Sequence, residues 1–116
     1  MNPFMLIFKI LHRAEWDVLK AEGQTLGAPI DLADGYIHFS ASAQLAETAA
    51  KYFADTSDLV LVACDSARLG TALKWEVSRG GALFPHLYRA LFMADVVWDK
   101  SLPLGATGHI FPEGVF

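Results

Sequence analysis

Cysteine occurs once in this chain of 116 residues, at Cys64. A disulfide framework within one chain is therefore excluded. The lone thiol sits in the apolar run "LVLVACD" and fits a reducing compartment. Charge is also scarce, at 19% of residues, and no block of five or six basic residues occurs. Nine Lys+Arg stand against thirteen Asp+Glu, for a formal charge of -4. Duplex DNA or bulk RNA is thus not an expected partner, whereas a small-molecule ligand, even a nucleotide, needs only a local site. No apolar run reaches the roughly 18 residues of a membrane span. The opening "NPFMLIFKILHR" has no cationic leader, Lys9 interrupts it, and no A-x-A-like site follows. The expectation is a cytoplasmic protein with no membrane association.

Motifs are missing as well. Without G-x-G-x-x-G or G-x-x-x-x-G-K, Rossmann and P-loop sites have no support. There is no G-x-S-x-G elbow for a serine hydrolase and no H-E-x-x-H for zinc. No internal repeat is visible.

What is present is apolar: 53% of residues are hydrophobic, which excludes disorder and suits one domain over residues 1–116. "FMLIFKIL", Phe4 to Leu11, reads as a buried strand. "HRAEWDVLKAEG" reads as a helix ending at Gly23, with Trp16 and Leu19 on one face. "QTLGAPIDLADG" reads as a loop. A short strand "YIHF" follows, then a helix from Ser42 as its N-cap, with Leu45, Ala49 and Phe53 as its buried stripe. "DLVLVACD" is apolar on both faces and reads as a central strand. "LKWEVS" alternates, "FPHLYRALF" starts extended at Pro85, and "ADVVWD" is the last strand. Strand, helix, strand, helix and then mostly strands is α+β, with two helices in the N-terminal half.

Three polar groups stand in apolar settings. His38 and Ser40 share one strand face, so they either satisfy local backbone or point into a cleft. Glu76 sits in mid-strand beside Trp75, where a carboxylate must be solvated or paired. Either the face is exposed, with Lys74 beside it, or the carboxylate aims into an aromatic-walled pocket. Phe84, His86 and Tyr88 share a face if "FPHLY" is extended and would make a stacking and hydrogen-bonding wall. His38, His86 and Glu76 could also supply a two-histidine, one-carboxylate metal set.

The combination of "W-x6-G" at Trp16 and Gly23, "DGYIHFSASAQ" at Asp34 to Gln44, "LKWE" at Leu73 to Glu76 and "FPHLY" at Phe84 to Tyr88 resembles the small bacterial family catalogued as domain of unknown function 952. The resemblance implies a compact ADP-ribosyltransferase-like core, with two small sheets around a cleft. The Trp helix leading to an Ile-His strand is also similar to RNA 2'-phosphotransferases. In such sites a His or Arg and a hydroxyl hold the nicotinamide ribose and amide, and a late-strand Glu stabilises the cation left as nicotinamide departs. The resemblance thus implies catalytic roles for Glu76 and His38. It implies ligand contacts from Ser40, His86, Tyr88 and Trp75, with NAD as the cofactor to be considered. The pattern departs from those enzymes on the first strand, which offers Lys9 and His12, and at "SAS" in place of S-T-S. Glycosyl or ADP-ribosyl transfer, a non-catalytic metabolite-binding module and a metal-dependent enzyme all remain open on the sequence.

Overall fold

The structure, a computed structural model, describes residues 5–116. In chain order it runs β1 (Leu6–His12), α1 (Arg13–Glu22), β2 (Gln24–Thr25), α2 (Pro29–Asp34), β3 (Ile37–His38), β4 (Ser40–Ala41), α3 (Ser42–Tyr52) and β5 (Leu59–Asp65). A 3-10 segment, Ser66–Ala72, leads to β6 (Leu73–Val77), β7 (Leu83–Leu87), β8 (Leu91–Phe92), β9 (Val96–Leu102), β10 (Leu104–Gly105) and β11 (Gly108–His109). The class is α+β.

The main sheet is antiparallel, in the order β4-β1-β5-β9. A second antiparallel sheet has the order β3-β7-β6, and β2-β8 and β10-β11 form two small ribbons. The expectation of two sheets is therefore corrected to four among the described residues. The extra two are short ribbons whose strands are too brief to leave a periodic signal.

β5 reads as apolar on both faces because both are covered. On one side Leu59 and Leu61 pack with Phe8 of β1 and with Leu45 and Ala49 of α3. On the other, Val60, Val62 and Cys64 meet Trp16 and Leu19 of α1 and Ile37 and Leu87 of the second sheet. α1 ends where Gly23 takes a left-handed φ of 79° and donates to the Leu19 carbonyl at 2.8 Å.

Several elements differ from the sequence reading. "ADVVWD" is not the last strand: β9 is Val96–Leu102, and the short strands β10 and β11 follow it. The expected loop at 24–35 holds α2, with Pro29 in its first turn and Gly35 at its end. Ser42 opens α3 rather than capping it: the cap is Ala41, whose N–H donates to the Gln44 side chain at 3.0 Å. The first strand runs to His12, and Phe4 lies outside the described residues.

Cys64 is fully buried, and burial pushes its thiol up to about 12. A thiol so rarely ionised should be inert. Thiol-reagent labelling of the folded chain at neutral pH should proceed only at the rate of unfolding. A rapid, stoichiometric burst would contradict this.

Candidate functional site

The cleft arises where one segment changes sheets. Ile37 and His38 pair with Leu87 and His86 in the second sheet. The next N–H, of Phe39, donates to the Pro85 carbonyl at 2.9 Å. Pro85 has no N–H to return, so the ladder stops there. Two residues on, Ser40 and Ala41 pair with Phe8 and Ile7 of β1 in the main sheet. Beyond Phe8, β1 has no strand on that side among the described residues. A cavity of about 520 Å3 fills the gap, against the uncovered stretch at Lys9, Ile10 and His12. That size suits a small organic ligand.

Lys9 is the unexpected centre of one wall. It shares the strand face of Ile7 and Leu11, so its ammonium is drawn into the protein. Its Nζ lies 2.8 Å from Oδ2 of Asp31, which is 1% exposed. Asp31 also accepts from the Ala28 N–H at 2.8 Å, the His38 N–H at 3.0 Å and His38 Nδ1 at 2.6 Å. Burial alone would push its carboxyl up, but the bonds from His38 and Lys9 outweigh it and hold Asp31 below its ordinary value. The other ring nitrogen of His38, Nε2, lies 3.0 Å from Asp34 Oδ2. His38 is thus bracketed by two carboxylates.

Gly27 makes this packing feasible. A Cβ there would come within 3.0 Å of three Asp31 side-chain atoms, and its φ is +101°.

On the second sheet, His86 lies opposite His38, with ring centroids 5.3 Å apart and edge on. Its Nδ1 donates to Glu76 Oε1 at 2.8 Å, and the Tyr88 hydroxyl donates to the same oxygen at 2.6 Å. The Tyr88 bond, then the His86 bond, hold the Glu76 carboxyl below its ordinary range. The same contact with Glu76 pushes the Tyr88 phenol up to about 12. Tyr36 stacks over this group, with its centroid 4.2 Å from His86, 4.7 Å from His38 and 5.1 Å from Tyr88.

Arg79 also lines the cavity. Its guanidinium lies over Phe84 at 4.8 Å and Tyr52 at 5.4 Å, and Nη2 donates to Thr48 Oγ1 at 3.1 Å. Glu47 Oε1 stands 3.0 Å from Nε but off its N–H direction, so it acts as a charge partner rather than an acceptor. The Ser40 hydroxyl is buried and lies 3.0 Å from that of Thr48.

Of the residues singled out in the sequence, His38, Ser40, Phe84 and His86 line the cavity. Glu76 and Tyr88 do not; they stand behind His86. Trp75 does not line it either, because strand alternation turns its partly exposed indole to the face opposite Glu76. Among the described residues no three His, Cys, Asp or Glu side chains are grouped to hold a metal ion. The set of His38, His86 and Glu76 is divided because Glu76 is engaged by His86 Nδ1 and Tyr88. Lys9, Asp31, Tyr36 and Arg79 escaped the sequence reading. The one signal was Lys9, a charge inside an apolar strand.

Comparison with known proteins agrees with the sequence motifs. The family described as "Protein of unknown function (DUF952)" matches residues 10–99. A crystal structure of protein CC0527 from Caulobacter crescentus is 55% identical, covers 90% of this chain and 91% of that one, and superposes with a TM-score of 0.86. The solution NMR structure of CC0527 is likewise 55% identical over 90% of each chain, with a TM-score of 0.81. No curated protein matches. With the family pattern spanning most of its length and CC0527 superposing over 90% of it, this chain belongs to the DUF952 family.

Proposed function

We propose that the cleft binds a small nucleotide-like ligand, with NAD as the first candidate, in an ADP-ribosyltransferase-like arrangement of sheets. The observation that carries this reading is the Arg79 guanidinium over Tyr52 and Phe84 in the lining of a cavity of about 520 Å3 that Tyr36 also lines. A flat base can stack on an aromatic wall, and phosphate oxygens suit a planar guanidinium fork. Ser40 and Thr48 supply hydroxyls near the same floor.

The role of Glu76 differs from the one the family resemblance implied. Its carboxylate orients His86 instead of facing a ligand cation, so ligand binding has more support than glycosyl transfer. The buried lone thiol accords with a cytoplasmic setting. No helix among the described residues is long and apolar enough to cross a membrane.

The test is calorimetric titration of the full chain with NAD, ADP-ribose and AMP. Saturable heat is expected for at least one. Arg79→Ala should weaken it by about 10- to 100-fold, the cost of one charge-assisted contact. No saturable heat from any of the three, or wild-type affinity in Arg79→Ala, would reject the nucleotide reading.

A further inference from the structure

His86 and His38 are not equivalent. Both ring nitrogens of His38 face carboxylates, at 2.6 Å from Asp31 and 3.0 Å from Asp34. His86 has a partner on one side only. It is 2% exposed, it lines the cavity, and its Nε2 has no hydrogen-bond partner among the described residues. Buried polar atoms are almost always satisfied, so an orphan at a cavity wall marks the place where something else supplies the bond.

The chemistry of that bond follows from Glu76. An ionised carboxylate only accepts, so the hydrogen on His86 must sit on Nδ1, 2.8 Å from Glu76 Oε1. In the neutral ring Nε2 then carries a lone pair and no hydrogen. Tyr36, stacked at 4.2 Å, and the Tyr88 hydroxyl, which shares Glu76 Oε1, hold the ring and its carboxylate in place.

We propose that His86 Nε2 is the hydrogen-bond acceptor of the cleft and selects a ligand carrying an O–H or N–H donor at that end. A bare carboxylate or phosphate oxygen would bring lone pair against lone pair, with the Glu76 charge behind. Building on the nucleotide reading, this orients the ligand: a sugar hydroxyl, amide or amino group meets His86, and the anionic part lies toward Arg79. Glu76 is then a positioning residue that acts through the imidazole.

The test is long-range proton–nitrogen correlation of the histidine rings in the full chain near neutral pH, followed by addition of NAD. His86 should show the Nδ1–H form with an unprotonated Nε2, and Glu76→Ala should lose that preference. Bound NAD should shift the Nε2 resonance. His86→Ala should weaken NAD about tenfold. His86→Gln, whose amide oxygen can reach the same place, should recover part of the loss. An Nε2–H form in the free wild type overturns the proposal whatever the ligand does. So does NAD binding that leaves Nε2 unmoved, or wild-type affinity in His86→Ala. If NAD fails to bind while the ring shows the Nδ1–H form, the nucleotide reading falls and the acceptor assignment stands.

Discussion

Asp31→Asn should lower folding stability by about 3–5 kcal/mol, the range for breaking a buried ion pair from one side. The carboxylate takes four bonds, from Lys9, from the His38 backbone N–H, from His38 Nδ1 and from the Ala28 N–H. Asparagine keeps the shape, but it removes the charge and puts an NH2 donor in place of one acceptor oxygen, against groups that all donate. Lys9 is left buried without a counter-charge. The pH dependence follows from the same carboxylate. Asp31 is held below its ordinary value in the fold, so the unfolded chain binds more protons in acid. Its contribution is complete above about pH 4, the ordinary carboxylate range, and is lost as pH falls through the folded value. Urea unfolding at pH 7 and at pH 3 checks both parts. The wild type should be weaker at pH 3, and Asp31→Asn should show a shallower loss. Asp95, held low by Arg89 2.8 Å away, keeps the mutant from being flat. An Asp31→Asn protein within 1 kcal/mol of wild type at pH 7 would show that Asp31 does not pin the cleft wall.

Gly27→Ala should destabilise by about 3 kcal/mol although no charged residue is replaced. Two effects combine. A Cβ at φ +101° is strained, and it would collide with the Asp31 side chain. Because Asp31 must move, the bonds to Lys9 and His38 go with it. The two substitutions should therefore be sub-additive, since each breaks the same network. Denaturant midpoints of both singles and the double would show it. Full additivity would mean that the strain of Gly27 is local and unconnected to the cleft.

The fold was legible where one element faces one environment. β5 announced itself as central by being apolar on both faces, and α3 by the spacing of Leu45 and Ala49. α2 was not legible. Six residues cannot make a stable helix by propensity, and this one is tied down by Asp31, whose partners are in β1 and β3. The candidate site divided in the same way. Strand alternation gave each strand its polar face, but only the pairing of β3, β7 and β6 brings His38, His86 and Glu76 to one face, and alternation cannot say how far a cavity extends along it. Glu76 therefore looked like a pocket residue, whereas its carboxylate is bonded to His86 and Tyr88 and lies outside the cavity lining. Arg79 reads as turn chemistry in "RGG" until the chain folds it over Phe84 and Tyr52.

The segment Ile37–Ala41 is strand in both sheets, joined to β7 at one end and to β1 at the other. That sharing has a kinetic meaning. Neither sheet can finish its edge until the other has arrived, and each closure draws in chain far away in sequence, β7 for the first and β1 for the second. A barrier built from distant closures that must coincide is crossed slowly and in one step. The two sheets have no separate folding histories, and a half-folded molecule with only one of them is a state this connectivity leaves little room for.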